Sequence, residues 1–309
     1  MTSNTYLPTL DQGLMQNFRS SFFELAQQKT SQLESSGAVI YLPSAGKTNN
    51  MARIGRLELS EVAQRNPDKQ YGDYSIDNRL LTKRRFTRTI TVDALYDINE
   101  LIADPSSSIL QQLVNAKSRT IDRVIAAAAV GTVNVGAPNG SPTAISAATD
   151  GVLTVDASAG LTYDKIQEIT QNFINNELEY SMFKGSILCL TGTENTDLMG
   201  EVEFISSDYI TGRPVETGKM QSAGTYQIAM FAGSVNGGAT VTNPVLAEGT
   251  TTRSCICLAP ESIAISMELA DLGITRSATK VNSNDITIDL WINAMRTEGC
   301  RVQIVTTTI

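Results

Sequence analysis

Apolar and polar positions follow two different periods along the chain, and the longest regular stretch runs from 92 to 136. Ile109, Leu113, Ala116, Ile121, Val124, Ile125 and Ala128 recur close to every 3.6 residues. Gln112, Asn115, Lys117, Arg119, Asp122 and Arg123 fill much of the remaining surface. Asp104 suits the N-cap, where a carboxylate accepts from free N–H groups, and Pro105 suits the first helical position. Gly131 is expected to stop the helix in the left-handed conformation. From Pro105 to Val130 the rod would be about 39 Å long, so something long must lie against it.

Two further helices carry one apolar stripe each. Leu14, Met15, Phe18, Phe22, Leu25 and Ala26 predict a surface helix starting at Asp11 and extending towards Leu33. Thr162 is placed to cap the other, whose stripe is Ile166, Ile169, Phe173, Ile174 and Leu178. Residues 193–205 suggest one more, with Leu198, Val202 and Ile205 inward. Strands are expected at 38–42, 84–92, 184–190, 225–231, 253–258, 262–267, 285–292 and 301–305. In 285–292 the alternation is clearest: Ile286, Ile288, Leu290 and Ile292 share one face. Residues 47–93 have too few apolar groups to build a core, so they predict an extended arm that needs a partner surface.

Charge and composition narrow the functions. The 309 residues are 41% hydrophobic, enough for one large mixed domain or two smaller ones. The net charge of −8 is uneven: residues 53–93 hold nine basic and six acidic groups, residues 140–309 nine basic and nineteen acidic. Tight nucleic-acid binding, which needs a basic face, is thereby disfavoured as the main task. With no histidine, imidazole-based catalysis and imidazole metal sites are excluded. Cys189, Cys255, Cys257 and Cys300 are expected to be reduced thiols, the first three in strand-like stretches. The first ten residues show no basic and apolar leader, and no apolar run is long enough to span a bilayer.

No motif carries chemistry. The glycines after the long helix follow a C-terminus, where the dipole repels anions, and no phosphate loop or serine elbow occurs. Glu194, Asp197, Glu201, Glu203 and Asp208 invite an acid/base or cation site, but their spacing favours a solvated helix face. No catalytic, cofactor-binding or metal-ligating residue is assigned. The cluster Arg79, Lys83, Arg84, Arg85 and Arg88 stands between two readings, a contact with neighbouring subunits or nucleic acid and a solvated strand face.

The order of segments is more telling. An arm with LAQQKTSQL (25–33) precedes RRFTRTITVDALYD (84–97); DINELIADPSSS (97–108) opens the long helix and RTIDRVIAAAAVGTVNVG (119–136) ends it; AMRTEGCRVQIV (294–305) closes the chain. This resembles the major capsid proteins of tailed bacteriophages with the Hong Kong 97-type fold, with Arg119, Asp122, Ile125, Ala126, Ala127 and Gly131-Thr132 on the family pattern. Where family chains often have a Gly-Ala-x-Arg turn, this one has Asn293-Ala294-Met295-Arg296.

The resemblance implies an α+β shell protein: an N-terminal arm (1–46), an extended β-hairpin loop (47–92), a peripheral domain with a long spine helix (93–136 and 285–309) and an axial domain (137–284). It implies assembly through pentamers and hexamers around double-stranded DNA, in a virion made in the host bacterial cytoplasm. Portal, scaffold or decoration proteins are the other implied partners, contact with packaged DNA is non-specific, and no membrane is involved. Phe18, Phe22, Arg79, Lys83, Arg84, Arg85 and Arg88 are then the subunit-interface candidates. Asp104, Pro105, Ile109, Leu113, Ile121, Val124, Ile125 and Gly131 form the cap and core of the spine helix. Two alternatives remain: an encapsulin-type compartment shell, and an unrelated α+β enzyme using the acidic cluster Glu194–Asp208.

Overall fold

The structure, a computed structural model, describes residues 27–62, 65, 68–69, 71–93, 106–136, 141–201, 222–233 and 244–309. Phe18, Phe22, Asp104 and Pro105 lie outside the described residues, as do most of the predicted first helix, Val202 and Ile205.

In chain order the elements are β1 (Val39–Tyr41), β2 (Thr48–Ile54), β3 (Ile76–Thr82), β4 (Arg84–Asp93), α1 (Ser106–Val130), β5 (Val133–Val135), β6 (Thr143–Ile145) and β7 (Leu153–Ala157). There follow α2 (Tyr163–Asn175), α3 (Tyr180–Phe183), β8 (Ile187–Leu190), α4 (Gly192–Gly200), β9 (Ser222–Ala223) and β10 (Tyr226–Met230). The chain continues through β11 (Ala247–Glu248), β12 (Thr252–Leu258), β13 (Ile263–Arg276), β14 (Ser283–Arg296) and β15 (Val302–Thr308).

Contacts divide the chain into two units, and β4, α1, β13 and β14 each pass from one to the other. The smaller unit includes 86–117 and 269–290. Its core joins Val92, Leu113, Ile286 and Ile288, with Ile90, Ile109 and Leu110 against them. Alternate residues of β4 and β14 thus meet the first half of the helix, as their period of two demands. On these strands Thr89 meets Thr287 at 3.2 Å and Thr91 donates to Asp285 at 2.7 Å.

The larger unit, 30–85, 118–268 and 291–309, is built on a seven-stranded sheet ordered β7-β15-β12-β8-β10-β9, with β11 on β12. All four residues of β8 are buried, as expected of a central strand covered on both faces. Helix α2 lies on this sheet: Gln303 Nε2 donates to the Ile169 carbonyl at 2.8 Å, and Ile166, Ile169 and Phe173 are buried. Ile174, expected in the same stripe, is exposed instead. Phe173 stacks on Phe183 with ring centres 5.6 Å apart.

A second sheet, β2-β3-β5-β6, carries the long hairpin of β2 and β3, paired from Thr48↔Thr82 to Ile54↔Ile76. A third has the order β1-β13-β14-β4.

Strand β15 pairs with β12 and β7, while β14 lies between β13 and β4. Several sequence expectations change. Residues 27–33 are not helical: the Gln32 and Leu33 N–H groups donate to Asp122, both at 3.1 Å, instead of to carbonyls one turn back. Asp122, expected on the helix surface, is accordingly buried. The Gln32 amide continues the arm's attachment, donating to the Met230 carbonyl at 2.9 Å and accepting from its N–H at 3.1 Å.

Candidate functional site

Three buried arginines organise the larger unit, and each is held by carboxylates, most of them far away in sequence. Arg79, on β3, pairs with Asp150 through both terminal nitrogens and donates to the Arg296 carbonyl at 2.8 Å. Arg296, at the end of β14, places Nε 3.1 Å from the same carboxylate. Its Nη1 reaches the carbonyls of Ala128, Ala129 and Gly131 at 2.9, 3.1 and 2.5 Å. A cation therefore closes the C-terminus of α1, satisfying carbonyls that have no partner within the helix. Gly131 does not adopt the expected left-handed conformation. It is required by space, since a Cβ there would stand 2.7 Å from the Ala127 carbonyl oxygen.

This hub has two cations for one carboxylate. Burial pulls the Arg296 guanidinium below its ordinary value, a pull that Asp150 opposes and Arg79 reinforces. Arg79 Nε and Arg296 Nη2 are buried without a hydrogen-bond partner. Nearby, Gly299 packs against the Asp150 backbone with no room for a side chain. The hub ties the hairpin base, the end of the spine helix and the β14–β15 corner to one residue.

The third arginine, Arg253 on β12, lies between Glu248 at 2.6 Å and Glu194 at 2.8 Å. Glu194 also accepts from Thr307 at 2.7 Å and from the Thr191 backbone at 3.0 Å, which closes a capping box on α4. The solvated-face expectation thus fails for Glu194, which is 1% exposed, while Asp197 is exposed. Burial alone would raise the Glu194 carboxyl, but Thr191, Thr307 and Arg253 together hold it below its ordinary 4.5. A depressed carboxyl contributes stability that is complete above its unfolded value and is lost as pH falls through the folded one. The stability gap between the parent and Glu194→Gln should therefore be constant from pH 7 to about 5 and shrink below about 4.5. Urea unfolding at several pH values measures it, and a gap unchanged at about pH 3 contradicts the assignment.

The basic interface candidates divide. Arg79 and Lys83 are buried and paired within their own subunit, Arg79 with Asp150 and Lys83 with Glu268 at 2.8 Å and the Ser44 carbonyl. A guanidinium or ammonium leaves water only where partners replace its hydration, and here those partners come from the same chain. Arg84, Arg85 and Arg88 are exposed on β4, with Arg84 3.4 Å from Asn293. The spine residues Leu113, Ile121, Val124 and Ile125 are buried, and Ile109 is half-buried. In the sequence Asp150 is visible only as a turn before Gly151, and Arg253 carries no signal at all. Arg296 is visible only through the family resemblance.

The outward-facing surface is of a different kind. Beyond the pairing of β2 and β3, Leu57, Leu59, Val62, Tyr71 and Tyr74 are exposed, Leu59 completely. Leu269, Leu272, Ile274 and Val281 are exposed at the far ends of β13 and β14. Burial pushes the Cys189, Cys255 and Cys257 thiols up, away from the reactive thiolate. Among the described residues no group of three acidic, cysteine or histidine side chains could hold a metal, and no helix is long and apolar enough to cross a membrane.

A shell subunit is the class these features define: a long helix capped by a buried arginine, a long β-hairpin and exposed apolar side chains beside its paired strands. The chain belongs to the phage capsid protein family, whose sequence model matches residues 10–307. It has the Hong Kong 97-type fold and the function of a major coat protein. No curated protein matches it in sequence. Among solved structures, a chain of the head of Helicobacter pylori bacteriophage KHP40 superposes with TM-score 0.67 at 10% identity, covering 99% of both chains. A chain of the cyanophage Pam1 capsid gives 0.66 at 11% identity, also over 99% of both. One from the capsid of cyanophage P-SCSP1u gives 0.65 at 13%, over 96% of this chain and 94% of that one. Neither the compartment shell nor the enzyme alternative is favoured by this membership.

Proposed function

We propose that copies of the chain assemble through pentamers and hexamers into an icosahedral shell around double-stranded DNA, without catalytic activity. The seven-stranded sheet with α2–α4 forms the axial domain at the capsomer centre. The sheet β1-β13-β14-β4 with the first half of α1 forms the peripheral domain. Portal, scaffold or decoration proteins complete the particle, which is built in the host cytoplasm, and the acidic body keeps DNA contact weak and non-specific.

The observation that carries this reading is the hairpin. Leu57, Leu59, Val62, Tyr71 and Tyr74 have no core of their own, and clustered exposed apolar groups mark surfaces meant for a partner. Exposed Arg84, Arg85 and Arg88 on β4 offer a basic edge to the acidic body of a neighbour. Leu59→Ser is expected to leave subunit stability within about 0.5 kcal/mol of the parent while sharply reducing particle yield. Sedimentation and negative-stain microscopy of the purified protein test both points. Particles formed by Leu59→Ser at the parent's yield and heat resistance would remove the hairpin from the interface.

A further inference from the structure

Three arginines tie the hairpin to its own subunit, and their burial falls from base to tip. Arg79 is fully buried in the hub. Arg53 is half-buried, paired with Asp77 and donating to the Thr297 carbonyl at 3.3 Å. Arg56, just past the last paired residues of β2, is 62% exposed. It meets Glu177 at 2.5 Å and the Asn176 carbonyl at 3.1 Å, both at the C-terminal end of α2. Glu177 holds a left-handed backbone there, with φ of 61°.

The Arg56–Glu177 contact borders a pocket of about 190 Å³ that also touches Leu178, Met182, Cys300 and Arg301. Cys300 is the cysteine left half-exposed; the other three are buried. Burial and then Glu298 push its thiol up to about 12, with Arg56 and Arg301 opposing.

We propose that the Arg56–Glu177 pair is a releasable clasp: it parks the hairpin on its own subunit, and its opening frees the hairpin to engage a second copy of this chain, while the Arg79 hub stays as the fixed pivot. The difference lies in solvent. Two exposed charges interact weakly and are screened by salt, so they separate readily. The hub cannot open without leaving desolvated guanidinium groups unpaired. This inference rests on the hairpin being an inter-subunit arm, as set out above.

Thiol labelling of Cys300 reports the clasp directly in unassembled protein. Glu177→Gln retains both the Arg56 charge beside the thiol and a side chain with a similar backbone preference. It should speed Cys300 modification by a disulfide reagent about two- to fivefold, the range an exposed ion pair supports. Cys189, Cys255 and Cys257 should stay unreactive, and the reversed pair Arg56→Glu with Glu177→Arg should bring the rate back below that of Arg56→Glu alone, which shares the changed charge beside the thiol. Assembly followed by light scattering should begin earlier in Glu177→Gln by a similar factor. An unchanged labelling rate, or no recovery in the reversed pair, overturns the clasp. Faster labelling with unchanged or slower assembly overturns its role in assembly, and Leu59→Ser reports separately whether the hairpin is an arm at all.

Discussion

Asp150→Asn is expected to lower the unfolding free energy of the subunit by about 3–5 kcal/mol, the cost of breaking a buried ion pair from one side. An asparagine side chain would fit the same space, but it carries no charge to set against Arg79 and Arg296, both fully buried. The two guanidinium groups would then repel each other at a site already short of acceptors. Arg79→Met should cost less, because it leaves Asp150 and Arg296 as a neutral pair with the end of α1 still capped. Chemical denaturation followed by the single tryptophan, Trp291, gives both values. If Arg79→Met proves the more damaging, the hub is held by packing and not by its one carboxylate.

Leu113→Asp should be at least as severe and should act on the smaller unit. Leu113 is 4% exposed among Val92, Ile286 and Ile288. Removing a buried leucine costs roughly 3–5 kcal/mol, and a carboxylate in its place adds desolvation with no partner among those side chains. Against a total stability of about 5–15 kcal/mol, soluble folded subunits should be scarce. Leu113→Met, which conserves volume, should cost less than about 1.5 kcal/mol. Circular dichroism and melting of the two variants decide this, and a well-folded Leu113→Asp would mean that the helix does not need the β4–β14 face.

Both predictions depend on one helix, and its two ends are unequally legible in the sequence. The period of Ile109, Leu113, Ile121, Val124 and Ile125 is a local signal, so their side of the helix follows from spacing alone. Alternation in 84–92 and 285–292 likewise predicts strands, and their apolar faces do meet this helix. The C-terminal end departs from expectation because its cap is not local. Arg296 is separated from Ala128 by 168 positions and from Asp150 by 146, and no periodicity encodes such a pairing. The same limit hides Glu194 and Arg253, separated by 59 positions: a glutamate at helix-surface spacing looks solvated until its partner is known. Arg79 and Lys83 look like an exposed basic run for that reason too. Strand β15 is legible as a strand, but its neighbours β12 and β7 are not, because alternation predicts a strand without naming what it pairs with.

What is common to these long-range pairs is that they fix geometry within the subunit, while the groups left exposed are those a neighbour can cover. A three-dimensional reconstruction of the particles by electron cryomicroscopy tests that division most directly. The expected result is five- and six-membered rings in which Leu57 and Leu59 of each hairpin are buried against an adjacent copy. In every subunit the Arg79–Asp150–Arg296 hub should be intact and internal. Closed shells whose hairpins face solvent, or in which Arg79 reaches across to a neighbouring subunit, would contradict it.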